Sequence, residues 1–293
     1  MLEYVSGIIT FSLIYVIATV GLAIFTGFTG LFSLGHAAFI AIGAYTSGIL
    51  TYFYGINFWM ALLAGGLSAG VVGIIIGYPT LKAKLRSDYF AIATLGFGEA
   101  VRVLLENLDI TQGARGLPGI SAETTLPVVA FITVLVIWAA RNFINCRYGR
   151  AAVAVREDFT AAEMVGINLF AVRMRSLVFS AVTSGIAGGL FAHYVSFIQP
   201  AMFTAALSTQ LTAGVVAGGM GSITGPALAA VIFVAIPEVL RVASIWRLVA
   251  YGFLLVAIMV FRPQGLLGYR ELSIRLLRDY WRKLRFNDAK SQI

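Results

Sequence analysis

An all-α polytopic integral membrane protein is the fold class this sequence predicts, and three observations carry it. Hydrophobic residues fill 59% of the 293 positions and charged residues only 12%, about half the charged share of an ordinary soluble domain. Several runs, among them 5–25, 58–77 and 174–197, reach the length of about 20 apolar residues that a helix needs to cross a bilayer. The basic residues gather in a few short stretches between and after those runs, the pattern that orients membrane helices.

Taken in order, the apolar runs give nine expected membrane segments, some of them short or broken: 5–25, 31–54, 58–79, 88–105, 126–143, 173–196, 207–221, 225–240 and 246–261. The first is not expected to be a secretory signal, because it has no basic n-region, only Glu3, and no obvious cleavage site before the next apolar run. Breaks fall at 27–30, at Asn57, at the basic turn 82–86 and at "DITQGARGLPGI" (109–120). Further breaks come at the polar stretch 147–168, at "IQPAMF" (198–203) and at "GSITGP" (221–226).

Cytoplasmic loops of membrane proteins are rich in Lys and Arg. Placing 147–168 inside puts the N-terminus outside and Lys82, Lys84 and Arg86 inside. The C-terminus then falls inside only if 207–240 crosses twice, with "GSITGP" as the turn or as the break in a discontinuous helix. In this layout all of the 21 basic residues except Arg102, Arg115, Arg241 and Arg247 are cytoplasmic. The net charge of +8 thus sets orientation and meets anionic lipid, and nucleic acid is not an expected partner. The tail 269–293 spaces Leu272, Leu276, Leu277, Tyr280, Trp281 and Leu284 near a helical period among Arg and Lys. It reads as a basic amphipathic helix on the cytoplasmic membrane face, or else as a solvated tail.

One cysteine, Cys146, excludes an internal disulfide, and two histidines, His36 and His193, do not make a metal site. No GxxxxGK[ST], HExxH or GxSxG motif occurs. The chain is therefore read as a non-enzyme with no cofactor of its own. Many of the 31 glycines lie inside the spans, as in "GLFSLGHAAFIAIGAY" (30–45), "TSGIAGGL" (183–190) and "AGVVAGGMGSITGPALAA" (213–230). Small residues let helices pack closely in lipid; equally, interrupted helices expose backbone that lines a polar path. The candidate path residues are Ser33, Gly35, His36, Thr94, Gly96, Glu99, Gly221 and Ser222. His36 can be a hydrogen-bonded packing residue or a proton relay. Glu99 and Arg102, and again Glu238 and Arg241, are spaced to neutralise each other on one helix. No run of carboxylates threads the membrane, which argues against a proton or sodium pump.

A chain this apolar carries one polar helical stretch at its centre, "YGRAAVAVREDFTAAEMVGIN" (148–168). Read alone, it is a solvated loop helix or a docking element. With "GLFSLGHAAFIAIGAY", "SDYFAIATLGFGEAVRVLLEN", "FAVRMRSLVFSAVTSGIAGGLFA" and "FRPQGLLG", it resembles the LivM-type permease subunits of bacterial branched-chain amino acid ABC importers. These stretches run from Gly30 to Gly268.

The resemblance implies a multi-pass protein of the bacterial inner membrane. Its partners would be a second homologous permease, two ATP-binding cassette subunits on the cytoplasmic side and a periplasmic substrate-binding protein, with ATP bound only by the ATPase partners. Residues 1–268 would then be the transmembrane permease domain and 147–168 its coupling region. There Arg150, Arg156, Glu157, Asp158, Thr160, Ala161, Ala162, Glu163 and Gly166 would serve ATPase coupling. The sequence departs from the usual Glu-Ala-Ala-x-x-x-Gly pattern in placing Thr160 where relatives carry Glu. It also departs at "TQGARGL" (111–117), a loop expected to face the binding protein. Leucine, isoleucine and valine are the expected cargo; urea, amides or aromatic acids are the alternative in the same machine. An ion-coupled secondary transporter and a membrane-embedded enzyme are the rivals from other classes.

Overall fold

The computed structural model describes residues 2–239 together with 252, 265, 266 and 268. The expected segment 246–261 apart from Gly252, the tail 269–293 and Arg241 of the Glu238–Arg241 pair lie outside the described residues. Ten α-helices are present among those described: α1 (Leu2–Leu22), α2 (His36–Tyr54), α3 (Phe58–Lys82), α4 (Ser87–Asn107), α5 (Leu126–Asn145), α6 (Arg147–Glu157), α7 (Phe159–Met164), α8 (Leu169–Val195), α9 (Ala205–Gly218) and α10 (Thr224–Val239). A π-helical turn, Ala23–Gly27, extends α1. Two short strands, β1 (Leu117–Pro118) and β2 (Phe197–Ile198), pair antiparallel with Leu117 opposite Ile198. Each expected segment up to 225–240 overlaps one of these helices, although 31–54 is helical only from His36.

Among the described residues, six helical stretches are long and apolar enough to cross a membrane: Glu3–Gly27, His36–Tyr54, Phe58–Lys82, Leu126–Asn145, Leu169–Val195 and Pro200–Gly218. Two expected segments are not among them. Helix α4 has the length but carries Asp88, Glu99, Arg102 and Glu106. Helix α10 is apolar over its described residues, Thr224–Val239.

Local chemistry sets the helix ends. The Asn57 side chain accepts from Trp59 N at the start of α3, and that of Asn168 accepts from Ala171 N at the start of α8. Gly55, in the left-handed conformation, closes α2. Large apolar side chains point outward as well as inward: Leu63, Leu67 and Ile75 on α3, and Phe131, Val134 and Trp138 on α5, are exposed. A helix apolar on both faces belongs in lipid.

The centre of the molecule is the contact of α2, α3 and α8, and glycine makes it. A Cβ on Gly43 would stand 2.1 Å from the Gly185 carbonyl oxygen, one on Gly188 2.0 Å from that of Ile40, and one on Gly185 2.7 Å from that of Gly65. Here the glycines serve backbone-to-backbone packing, the first of the two readings the sequence left open.

The bundle has two distinct ends. At one, Lys84 Nζ meets Glu163 Oε1 at 2.9 Å and the Arg175 guanidinium lies 4.1 Å from the Tyr148 ring centre. This joins the ends of α3 and α8 to α6 and α7. At the other, the Tyr194 hydroxyl donates to Gly7 O, and His193 bonds to Ser121 and to Ser47. Lys82, Lys84, Arg86, Arg147, Arg150, Arg156, Arg173 and Arg175 all lie at or near the first, basic end.

Candidate functional site

Two groups of residues hold the sequence-level candidates. The first is the polar pair α6–α7 on the basic end. Helix α6 is fixed to the bundle by its small or apolar face, where Ala152 and Val155 are buried. Tyr148 is held between cations: Arg147 Nη2 donates to its hydroxyl at 2.7 Å, and Arg175 covers its ring. The hydrogen bond from Arg147 keeps the Tyr148 phenol below its ordinary range and raises Arg147 in turn. Arg150 Nη1 donates to Asn145 O, a free carbonyl at the end of α5.

Helix α7 is one and a half turns long and held at both ends. Asp158 Oδ1 accepts from Thr160 N at 2.8 Å and from Ala161 N at 2.9 Å, which makes it the N-cap. At the other end Gly166 N donates to Glu163 O and Ile167 N to Ala162 O, with Gly166 at φ 84°. That pairing is a Schellman motif, and it needs a left-handed residue in Gly166's place. Ala162 is buried beneath α7, whereas Thr160, Ala161 and Glu163 face outward.

The expected coupling residues therefore divide by direction. Thr160, Ala161 and Glu163 are presented, Arg150 is exposed, and Glu157 is exposed beside Arg156. Asp158 is committed to the cap. Arg156 turns inward, with a side chain only 16% exposed; Nη1 donates to Gly27 O at 2.9 Å and to Met220 O at 3.4 Å. Sequence reasoning missed the apolar tip of this surface: Met164 is 86% exposed, Val165 77% and Phe159 58%. Their signal in the sequence is three large apolar residues within and beside a charged helix.

The second group surrounds the break between α1 and α2. Residues 30–35 leave the helical path, so their backbone groups need partners inside an apolar bundle. Hydroxyls from two neighbouring helices supply them. On the α4 side, Ser87 Oγ accepts from Phe32 N at 3.1 Å and Thr94 Oγ1 from Leu34 N at 3.1 Å. On the α9 side, Thr212 Oγ1 donates to Ser33 O at 3.0 Å and Ser208 Oγ accepts from Ala37 N at 2.9 Å. Gly35 lets the chain touch α4, since a Cβ there would lie 2.3 Å from Thr94 O.

His36 is fully buried among Phe25 and Phe39, with Nδ1 2.9 Å from Ser33 Oγ and Nε2 2.7 Å from Ser180 Oγ. Both ring nitrogens are engaged, which gives it a packing role. Ser33, Gly35, His36 and Thr94 thus form one cluster, joined by Ser87, Ser180, Ser208 and Thr212. No pairing for those four hydroxyls is legible in the sequence, where they look like ordinary helix residues until a non-helical segment passes beside them.

The remaining path candidates lie apart from that cluster. Gly96 is on the open face of α4 with no atom within 4 Å of an added Cβ, and Glu99 Oε2 pairs with Arg102 Nε at 2.8 Å further along. Arg102 also bonds Glu106 one turn on. Gly221 and Ser222 sit in the turn between α9 and α10, where Ser222 Oγ accepts from Gly225 N. That turn is a hairpin: a Cβ on Gly218 would stand 2.3 Å from Pro226 N, and one on Gly225 2.1 Å from Gly218 O. Among the described residues no cluster of His, Cys, Asp or Glu could hold a metal ion.

The chain matches the family described as branched-chain amino acid transport system, permease component, over residues 4–262. It is 35% identical over 304 aligned positions to the high-affinity branched-chain amino acid transport system permease protein LivM of Escherichia coli (strain K12), covering 92% of this chain and 71% of that one. The LivM protein of Salmonella typhimurium aligns with the same identity and coverage. A nucleoside ABC transporter permease protein, NupC of Lactococcus lactis, is 24% identical over 59% of this chain and 64% of its own length. No solved structure matches the chain.

Proposed function

The chain belongs to the permease component family of branched-chain amino acid transport systems, and from that premise we propose that it forms half of the translocation path of an ABC importer for leucine, isoleucine and valine. In this reading it lies in the bacterial inner membrane with its basic end in the cytoplasm. A second homologous permease completes the path, two ATPase subunits bind below, and a periplasmic binding protein delivers the amino acid above. The chain does no covalent chemistry, and ATP is bound and hydrolysed by its partners.

The observation that carries the reading is the tip of α7. Met164, Val165 and Phe159 stand exposed on the basic end, beyond the polar helix α6, where lipid does not reach in this topology. Exposed apolar side chains grouped on a short, doubly capped helix are what a partner's groove would cover. Glu163 and Thr160 would meet polar groups at its rim. A second feature supports the pairing of two permeases. Ionisable residues on a spanning helix avoid lipid and face protein or water, and α4 carries four of them with its Gly96 and Glu99 side unpacked.

The test is purification of the tagged chain with its associated subunits, followed by reconstitution into proteoliposomes with the binding protein. ATP-dependent accumulation of radiolabelled leucine, competed by isoleucine and valine, is the expected result. Accumulation without ATPase subunits under an ion gradient would refute the importer reading. A nucleoside ABC transporter permease protein is among the relatives, so nucleosides join urea, amides and aromatic acids in the competition panel. Competition by one of these, with none by leucine, would keep the machine and change the cargo.

A further inference from the structure

The Arg156 side chain makes a connection that docking at α7 alone does not explain. It leaves the last turn of α6 and runs inward to two carbonyls, Gly27 O at 2.9 Å and Met220 O at 3.4 Å. The first terminates the π-helical turn after α1, and the second lies in the α9–α10 hairpin turn. Both belong to backbone that leaves its helix at that point, so their oxygens lack the usual intrahelical donor. A cation at a helix C-terminus also meets the negative end of the dipole.

The surrounding backbone is shaped to this contact. Gly27 has no side chain where a Cβ would stand 2.6 Å from Met220 O, so the two chain breaks touch directly. Gly30, at φ 73°, passes the Arg156 stem, with a Cβ position 3.1 Å from Arg156 Cγ. Gly265 and Leu266 reach the same place: Leu266 N donates to Ala217 O at 2.8 Å, and Gly265 packs on Gly218 and Gly219. From Gly30 the chain runs straight into the segment that Ser87 and Thr94 of α4 and Ser208 and Thr212 of α9 hold. One guanidinium therefore spans the two broken elements whose movement would open or close a path.

We propose that Arg156 is the positioning residue that transmits displacement of α6–α7 to the α1–α2 break and the α9–α10 hairpin. Its Nη1 donates to both breaks while Nε and Nη2 hold Glu157 Oε1 on α6, so that the three move as one body. The inference rests on the importer reading and deepens it, by assigning the inner route of coupling to a residue that does not face the ATPase. A flexible or apolar replacement leaves the α7 docking tip in place and lets α6 slide without carrying the breaks.

The experiment uses the full complex, purified through the tagged chain, with wild type, Arg156→Met and Arg156→Lys. Three quantities are read: recovery of the ATPase subunits, apparent melting temperature, and amino acid taken up per ATP hydrolysed. Arg156→Met is expected to recover the ATPase subunits, melt with wild type and lose roughly tenfold in uptake per ATP, within the usual range of coupling between sites. Arg156→Lys, whose single ammonium keeps the charge but cannot hold Glu157 with two nitrogens while a third reaches the carbonyls, is expected to fall between the two. Wild-type uptake per ATP in either variant overturns the proposal. So does loss of the ATPase subunits from Arg156→Met, which would make Arg156 a docking residue, or a lowered melting temperature with uptake and hydrolysis falling in proportion, which would make it merely structural. Failure of the wild-type chain itself to recover any ATPase subunit is a different result and refutes the importer reading.

Discussion

Gly166 shows what a single backbone angle contributes. Its φ of 84° completes the Schellman turn of α7, and an added Cβ would meet nothing within 4 Å. Any effect of substitution is therefore conformational and not steric. Valine in the left-handed region costs about 1–2 kcal/mol, whereas asparagine visits that region readily. Gly166→Val is expected to weaken ATPase docking about tenfold, the equivalent of roughly 1.4 kcal/mol, with Gly166→Asn close to wild type; equal affinities would show that the turn does not position the tip. Thr94 makes a similar argument inside the bundle. Thr94→Val strands the Leu34 N–H in an apolar surrounding, at about 1–3 kcal/mol, while Thr94→Ser keeps the acceptor. The valine variant should melt measurably lower in detergent than the serine one, and coincident transitions would remove Thr94 from the support of the break. At this scale the sequence was legible where backbone chemistry is local: a glycine after a short helix reads as a left-handed cap. It was not legible where direction matters, because nothing in "REDFT" tells that Asp158 caps a helix while Arg156 turns back into the bundle.

Elements were the most legible level, because a bilayer imposes a length and glycine and proline punctuate it. The α9–α10 hairpin was read as a turn or a broken helix, and the structure gives a turn folded tightly enough that Gly218 and Gly225 touch. Leucine at Gly218 would drive its side chain into Pro226 backbone, which cannot move aside as a flexible side chain could. Gly218→Leu should therefore splay the hairpin and abolish uptake while α1–α8 still insert; a well-expressed variant with normal uptake would show that the hairpin tolerates opening. Gly96 on α4 is the contrasting case, with open space beside it. Gly96→Leu should insert and melt as wild type yet lose co-purification of the second permease. If pairing and uptake both survive, the open face of α4 is not the subunit contact. The sequence marked α4 by its charges but could not say which neighbour they await, since a single chain carries only half of an interface.

At the scale of the molecule, the structure fixes which ends share a side, and the positive-inside rule says which side that is. Ion pairs and backbone contacts bring 82–86, α6, α7, Gly27 and the α9–α10 turn to one end, and Ala114 lies at the other in the loop after α4. The sequence reached the same grouping from charge alone, because each basic stretch follows an odd or even number of crossings, and parity survives errors of a few residues in helix ends. It does not reveal that Ala152 of α6 is buried, so that position would report side poorly, whereas Thr160 and Lys84 are exposed. In a Cys146→Ser background, cysteine at Ala114 should react with an impermeant thiol reagent added to intact cells. Cysteine at Lys84 or Thr160 should react only after the membrane is opened. Labelling at Thr160 in opened cells should further fall when the ATPase subunits are co-expressed, because α7 then lies in their groove, while Ala114 is unaffected. Labelling of Thr160 from outside intact cells would invert the molecule and remove the basis for a cytoplasmic docking surface. Labelling that ignores co-expression would keep the orientation and place the ATPase contact elsewhere on the basic end.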